Sequence, residues 1–265
     1  MHSSQHASAS SLTDYRVIGR FALAVATLVM MVLLLREEGH AQAHDCGTTE
    51  KPLRIMPLGD SITESREGYS SYRLTLWKEL RAAGCRVNFV GSRRGVSLGY
   101  RDSPFATPKD PRFDQDHEGH WAYRVEEVLR QIDTWLQRAK PDVVLLHLGS
   151  NDIFRGQSIG STVAELSRLL DAVRLENPRA VIVVAQLIPA HGRHGIILKL
   201  NSKIAALAKR KNSPKSPVAS VNMYRGFSVS RDLQADGVHP NNAGDTKIGK
   251  RFAKALLKTL PERSF

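Results

Sequence analysis

Leu53-Arg54-Ile55-Met56-Pro57-Leu58-Gly59-Asp60-Ser61-Ile62-Thr63 decides how the rest of the chain is read. Its apolar run, 55–58, reads as a short buried strand. Gly-Asp-Ser then makes a tight turn, and an amphipathic helix is expected over 69–83. A serine lifted off the C-terminal end of a strand sits where open α/β sheets gather their chemistry. Its hydroxyl faces outward with few neighbours, and its own N–H is placed to meet a developing oxyanion. Taken alone, the tripeptide is equally compatible with a plain polar turn.

Outward from this stretch, apolar runs alternate with amphipathic ones. Strands are expected at 87–90, 142–148, 181–184 and 217–223, that at 142–148 apolar enough to be buried on both faces. Helices are expected at 125–136, 162–175, 197–207 and 241–260, each with its apolar residues on one face. Strands alternating with helices imply an α/β fold, a three-layer sandwich around a parallel five-stranded sheet. Residues 92–118 lack periodicity and are rich in Gly, Pro, Asp and Arg, which reads as a long functional or mobile loop.

Three further segments carry candidate chemistry: Asp116-His117-Glu118-Gly119-His120, Gly149-Ser150-Asn151-Asp152 and Asp236-Gly237-Val238-His239-Pro240. With Gly59-Asp60-Ser61-Ile62-Thr63 they resemble, in order, the four sequence blocks of the SGNH (GDSL-type) hydrolases. The resemblance covers about 53–257. Ile-Met-Pro-Leu-Gly-Asp-Ser-Ile-Thr and Ala-Asp-Gly-Val-His-Pro-Asn are most similar to the acetylxylan esterases of carbohydrate esterase family three. The resemblance implies a flavodoxin-like SGNH hydrolase fold over residues 44–265. It implies a catalytic triad of Ser61, His239 and Asp236, and an oxyanion hole from the backbone N–H groups of Ser61 and Gly119 and the side-chain amide of Asn151. The chain departs from the pattern after Gly119. His120-Trp121-Ala122-Tyr123 stands where the related esterases carry a small pair, and Ser150 replaces a commoner threonine.

The residue types fit acyl transfer without the resemblance. A neutral serine needs a base within hydrogen-bond reach, and a carboxylate on the far imidazole nitrogen fixes the tautomer and supports the imidazolium. The implied activity is a serine esterase releasing acetyl or another short acyl group from carbohydrate, with no cofactor and no metal. A lipid-directed esterase (lysophospholipase, short-chain lipase or thioesterase) is the alternative within enzymes. A non-catalytic carbohydrate-binding domain is the alternative outside them.

Other segments imitate sites. Gly156-Gln157-Ser158-Ile159-Gly160 matches a nucleophile elbow, but residues 151–155 separate it from any strand. His117-Glu118-Gly119-His120 is one residue short of a zinc-protease motif. His191 and His194 flank a glycine, and His147 lies inside an apolar strand, where a histidine is usually structural.

Of the 265 residues, 42% are hydrophobic and 24% charged, and the net charge is +12. Residues 1–43 hold three charges of each sign, so the whole excess falls on the remainder. No nucleic-acid motif accompanies it, and the basic residues are scattered over helices as a solvated surface. Arg16 and Arg20, the uncharged run 21–35 and Ala41-Gln42-Ala43 read as a signal peptide in 1–43. The alternative is an anchor over 17–35, the only membrane contact expected. Both place an expected monomer outside the cytoplasm. Cys46 and Cys85 precede the first two strands, neighbours in a doubly wound sheet, so a disulfide remote from Ser61 is possible; free thiols are the alternative.

Overall fold

The computed structural model describes residues 46–261. The expected signal peptide or anchor lies outside them. Among the described residues no helix is long and apolar enough to cross a membrane.

The chain begins with β1 (Leu53–Gly59), then the short helix α1 (Ser61–Glu64) and α2 (Ser71–Ala82). β2 (Val87–Phe89), β3 (Arg93–Arg94), the hairpin strands β4 (Val96–Ser97) and β5 (Phe105–Ala106), and β6 (Asp116–Gly119) follow. Next come α3 (Val125–Leu129), α4 (Ile132–Ala139), β7 (Val143–His147), α5 (Ser150–Phe154), α6 (Ile159–Glu176) and β8 (Val181–Gln186). The chain closes with α7 (His194–Lys211), β9 (Val218–Asn222), α8 (Val229–Asp232) and α9 (Asn242–Thr259).

β1 pairs in parallel with β7, β7 with β8, and β8 with β9. On the other side of β1, β2 pairs with Leu53–Ile55, and β6 takes over at Leu58 and Gly59. Two short strands therefore share one position in a flavodoxin-like order. The chain's direction across the sheet reverses between β1 and β7, and the segments leaving those two strands carry Ser61 and Asn151. That crevice is where such sheets bind ligands.

Two expectations need correction. The sheet has seven strands rather than five, because β6 joins β1 and β3 adds an antiparallel edge to β6. Both lie in or beside the stretch read as loop; their sequences, Arg93-Arg94 and Asp116-His117-Glu118-Gly119, have no apolar alternation to betray a strand. The helix expected at 125–136 is two helices broken at Arg130-Gln131.

Period-two alternation divides the core. Met56, Leu58, Val144, Leu146, Ile182 and Val184 face α3, α4, α6 and α7. Ile55, Val143, Leu145, Val181 and Val183 face α2 and α9, where Tyr72, Leu76, Ile248 and Phe252 pack. Burying each such side chain contributes about 1.5–3 kcal/mol. Cys46 and Cys85 are joined in a disulfide that ties the segment before β1 to the turn before β2. Closing this 39-residue separation limits the unfolded chain by about 4 kcal/mol in the chain-entropy picture.

His147 ends β7 fully buried, and neither ring nitrogen has a hydrogen-bond partner among the described residues. Burial pulls its pKa down to about 4. Between the ordinary value of 6.5 and about 4 the unfolded chain binds the extra proton, so stability attached to His147 is full above pH 6.5 and is lost as pH falls. His147→Leu removes this dependence. Its stability relative to wild type should rise by up to about 3 kcal/mol between pH 7 and pH 4, measured by urea unfolding at both. Buried acids of raised pKa act with the opposite sign, but they are common to both proteins and cancel.

Candidate active site

β1 ends at Gly59 because nothing larger fits. A Cβ there would stand 2.3 Å from the His147 carbonyl oxygen and 2.4 Å from Thr63 Oγ1. Asp60 caps α1, its Oδ1 accepting from the Ile62 N–H at 3.0 Å. This makes Ser61 the first helical residue, and its N–H has no partner among the described residues. The turn is clamped from below by Arg73, which donates to the carbonyls of Thr63, Glu64, Gly95 and Gln115 while wholly buried. Burial draws the Arg73 guanidinium down to about 10, still charged at neutral pH.

The Ser61 Oγ lies 2.9 Å from His239 Nε2, and His239 Nδ1 lies 2.8 Å from Asp236 Oδ2. Asp236 Oδ1 accepts from the N–H groups of Val238 and His239, both at 2.9 Å. Partial burial raises the Asp236 pKa, but the two N–H groups and the imidazole outweigh it and hold the carboxyl below its usual range. The loop is fixed at its exit by Asn241, which caps α9 and donates to the carbonyls of Arg231 and Leu233. Across the crevice Asn151, in the first turn of α5, donates to the Tyr123 carbonyl at 3.0 Å and approaches Asp60 Oδ2 at 3.5 Å.

The family model for the GDSL-like lipases and acylhydrolases matches residues 58–247. This chain belongs to that family. Over residues 58–247 it carries the domain of an ester-hydrolysing family. Among curated proteins it is similar to a multidomain esterase of Ruminococcus flavefaciens, 29% identical over 227 residues, 77% of this chain and 28% of that protein. The chain thus spans under a third of that relative. Among solved structures it is similar to an acetyl esterase determined with an acetate ion, at 31% identity and TM-score 0.68, covering 78% of this chain and 97% of that one. A family 3 carbohydrate esterase from Talaromyces cellulolyticus gives 32% identity, the same TM-score of 0.68 and the same coverages of 78% and 97%.

In this GDSL-like chain one of the three expected oxyanion donors, Gly119, has its N–H engaged elsewhere. The Gly119 N–H donates to His117 Nδ1 at 3.0 Å, and is engaged inside the protein. The residue must be glycine for another reason: a Cβ would stand 2.5 Å from the Glu64 nitrogen and 2.9 Å from Thr63 Cγ2. Gly119 is what lets β6 lie against the turn that carries Ser61. Three residues on, Ala122 adopts φ +61°, and its N–H has no partner among the described residues. It lies between Trp121, stacked on His239, and Tyr123, whose carbonyl holds Asn151. Sequence reading missed Ala122 because alanine carries no left-handed signature. The available signal was that it stands where a small pair was expected.

The imitating segments fall elsewhere. Ser158 caps α6, its Oγ accepting from the Ser161 N–H at 3.1 Å. His117 lies in β6 with Nδ1 taken by Gly119, while His120 Nε2 meets Glu118 at 2.6 Å. Among the described residues no three His, Cys, Asp or Glu side chains gather to hold a metal ion. His191 packs against Gly237, and His194 contacts the Tyr224 hydroxyl. Burial pushes Asp60 up to about 7 and Asp152 up to about 6, so the floor of the crevice carries less negative charge at neutral pH than its carboxyl count suggests.

Proposed function

We propose that the protein is a serine esterase that removes short acyl groups, acetyl foremost, from carbohydrate outside the cytoplasm, acting as a monomer. The observation that carries the reading is the hydrogen-bonded run Asp236–His239–Ser61 at the crevice between β1 and β7. Ser61 Oγ bonds to the acyl carbon, its proton passes to His239 Nε2, and the carbonyl electron pair moves onto oxygen. Asp236 steadies the imidazolium. The oxyanion meets the Ser61 N–H, the Asn151 amide and, in place of Gly119, the N–H of Ala122. His239 then protonates the departing sugar oxygen, and water repeats the sequence on the acyl-enzyme. Residues 1–43, read as a signal peptide or anchor, supply export.

The surroundings favour carbohydrate over lipid. An apolar groove of about 670 Å³ lies between α6 and α7, lined by Ile159, Val163 and Leu198, and includes neither Ser61 nor His239. The β4–β5 hairpin is bonded to the nucleophile turn, with Ser97 N–H on the Ser65 carbonyl at 3.1 Å. It bears Leu98, Tyr100 and Phe105, three of the five large apolar side chains exposed among the described residues. Exposed rings on a hairpin bonded to the turn that carries Ser61 suit the apolar faces of sugar rings, although the Arg93 guanidinium lies 4.7 Å from the Phe105 ring centroid and covers one of its faces. Replacing Tyr100 and Phe105 together by alanine should raise KM for acetylated xylan roughly 5- to 10-fold and affect p-nitrophenyl acetate much less, the loss of two such contacts being on the order of 1 kcal/mol.

The test is turnover on p-nitrophenyl esters of rising chain length beside acetate release from acetylated xylan. Rates falling from acetate to octanoate, with acetate released from the polymer, are expected. Rates rising with chain length would replace this reading by the lipid-directed one.

A further inference from the structure

The indole of Trp121 lies against the imidazole of His239, with ring centroids 4.7 Å apart and planes 19° from parallel. The two hydrogen bonds of His239, to Asp236 and to Ser61, act at the ring's edge. They set its direction in the plane and resist a tilt about the axis through the two nitrogens only weakly. A flat partner on one face removes that freedom. We propose that Trp121 is a positioning residue, holding the His239 ring by its face and favouring the imidazolium that forms as Ser61 gives up its proton. The inference rests on the triad reading above and adds a residue to it.

The segment is built to hold an indole there. Before it, His120 stacks on Trp135 at 4.4 Å and on Tyr123 at 4.8 Å, and its Nε2 is fixed by the buried Glu118. The backbone N–H of Trp121 approaches the Glu64 carboxylate on the helix that carries Ser61, which sets the residue beside that element. After it, the Ala122 carbonyl accepts from Arg155 at 3.1 Å and the Tyr123 carbonyl from Asn151 at 3.0 Å. The left-handed φ at Ala122 turns the chain sharply just beyond the indole. Backbone is therefore pinned on both sides, and the ring cannot drift with the loop.

The stack acts on charge as well as direction. Proton transfer from Ser61 Oγ to Nε2 turns a neutral ring into a cation against the negative face of an indole. Neutral imidazole gains only dispersion from the same contact. The interaction is thus stronger in the transition state than in the ground state, which is the condition for it to raise turnover. An aliphatic side chain of equal bulk would supply the contact without the charge preference.

The experiment compares the full chain with Trp121→Phe, Trp121→Leu, Trp121→Ala and, as reference, Ser61→Ala. Three quantities are read: kcat and KM on p-nitrophenyl acetate, the rate at which a fluorophosphonate labels Ser61, and Tm. Leucine and alanine should lower kcat and labelling together, roughly 3- to 30-fold, with KM and Tm little changed. Phenylalanine should keep kcat within about 3-fold of wild type, as conservative rescue. If the alanine variant fails to fold, the phenylalanine and leucine pair, similar in volume, retains the comparison. A leucine variant as active as the phenylalanine one, equal losses in all three, or a loss confined to KM would each overturn the inference. A wild type no more active than Ser61→Ala would instead remove the triad reading, and this inference with it.

Discussion

Ser61→Ala is expected to lower kcat for ester hydrolysis by roughly 10⁴- to 10⁶-fold while leaving Tm unchanged. The hydroxyl is the only atom removed, and its partner within reach is His239 Nε2, so no buried packing is lost. His239→Ala should cost nearly as much, because a serine that cannot shed its proton is scarcely a nucleophile and the members act as a unit. Asp236→Ala should be milder and leave measurable activity, since in the proposed mechanism Asp236 orients and stabilises without touching the reacting atoms. Ser158→Ala should be nearly silent in turnover. It removes the α6 cap bond to Ser161 and costs about 1 kcal/mol of stability. Progress curves on p-nitrophenyl acetate and a thermal melt read all four. Loss with Ser158→Ala and retention with Ser61→Ala would transfer the nucleophile to the other serine.

The apolar strands were legible because burial on both faces leaves nothing but hydrophobic residues to write them with; 143–146 is Val-Val-Leu-Leu, every one buried. β6 was not legible, although it is equally central to the site. Its four residues are Asp-His-Glu-Gly, and it is a strand because β1 and the nucleophile turn leave a slot that only Gly119 can enter. Arg73 was hidden for a related reason. An arginine next to the apolar stripe of an amphipathic helix reads as surface, whereas here it is buried by the carbonyls it serves. The proposed nucleophile, base and acid, Ser61, His239 and Asp236, were visible because acyl transfer needs side chains of those types in such loops. Backbone donors leave no such trace: any residue offers an N–H, and only the fold decides which is free. That is why Gly119 was expected where Ala122 is the open one. Trp121 was visible only as a departure, and its meaning needed the distance to His239.

Asn151→Ala is expected to lower kcat roughly 100- to 1,000-fold with KM nearly unchanged. The amide stands in the first turn after β7, directly across the switch point from Ser61, and is only partly buried. One donor is already used on the Tyr123 carbonyl at 3.0 Å; the other comes no closer than 3.5 Å to Asp60 Oδ2. A bond that long, to a carboxyl that burial leaves partly protonated at neutral pH, is a weak competitor for a full oxyanion. The tight bond to Tyr123 fixes the side-chain rotamer, so the second N–H, held only weakly by Asp60, is in place before substrate arrives and needs little reorganisation during reaction. Because the charge it meets exists only in the transition state, the donor contributes to turnover and little to substrate affinity. Asn151→Asp separates geometry from charge: it keeps the shape but presents a carboxylate to the oxyanion, and should be at least as severe as alanine. Steady-state kcat and KM on p-nitrophenyl acetate decide the matter. A rise in KM with kcat intact would mean that Asn151 binds substrate and transition state alike, and the oxyanion would then rest on the N–H groups of Ser61 and Ala122 alone.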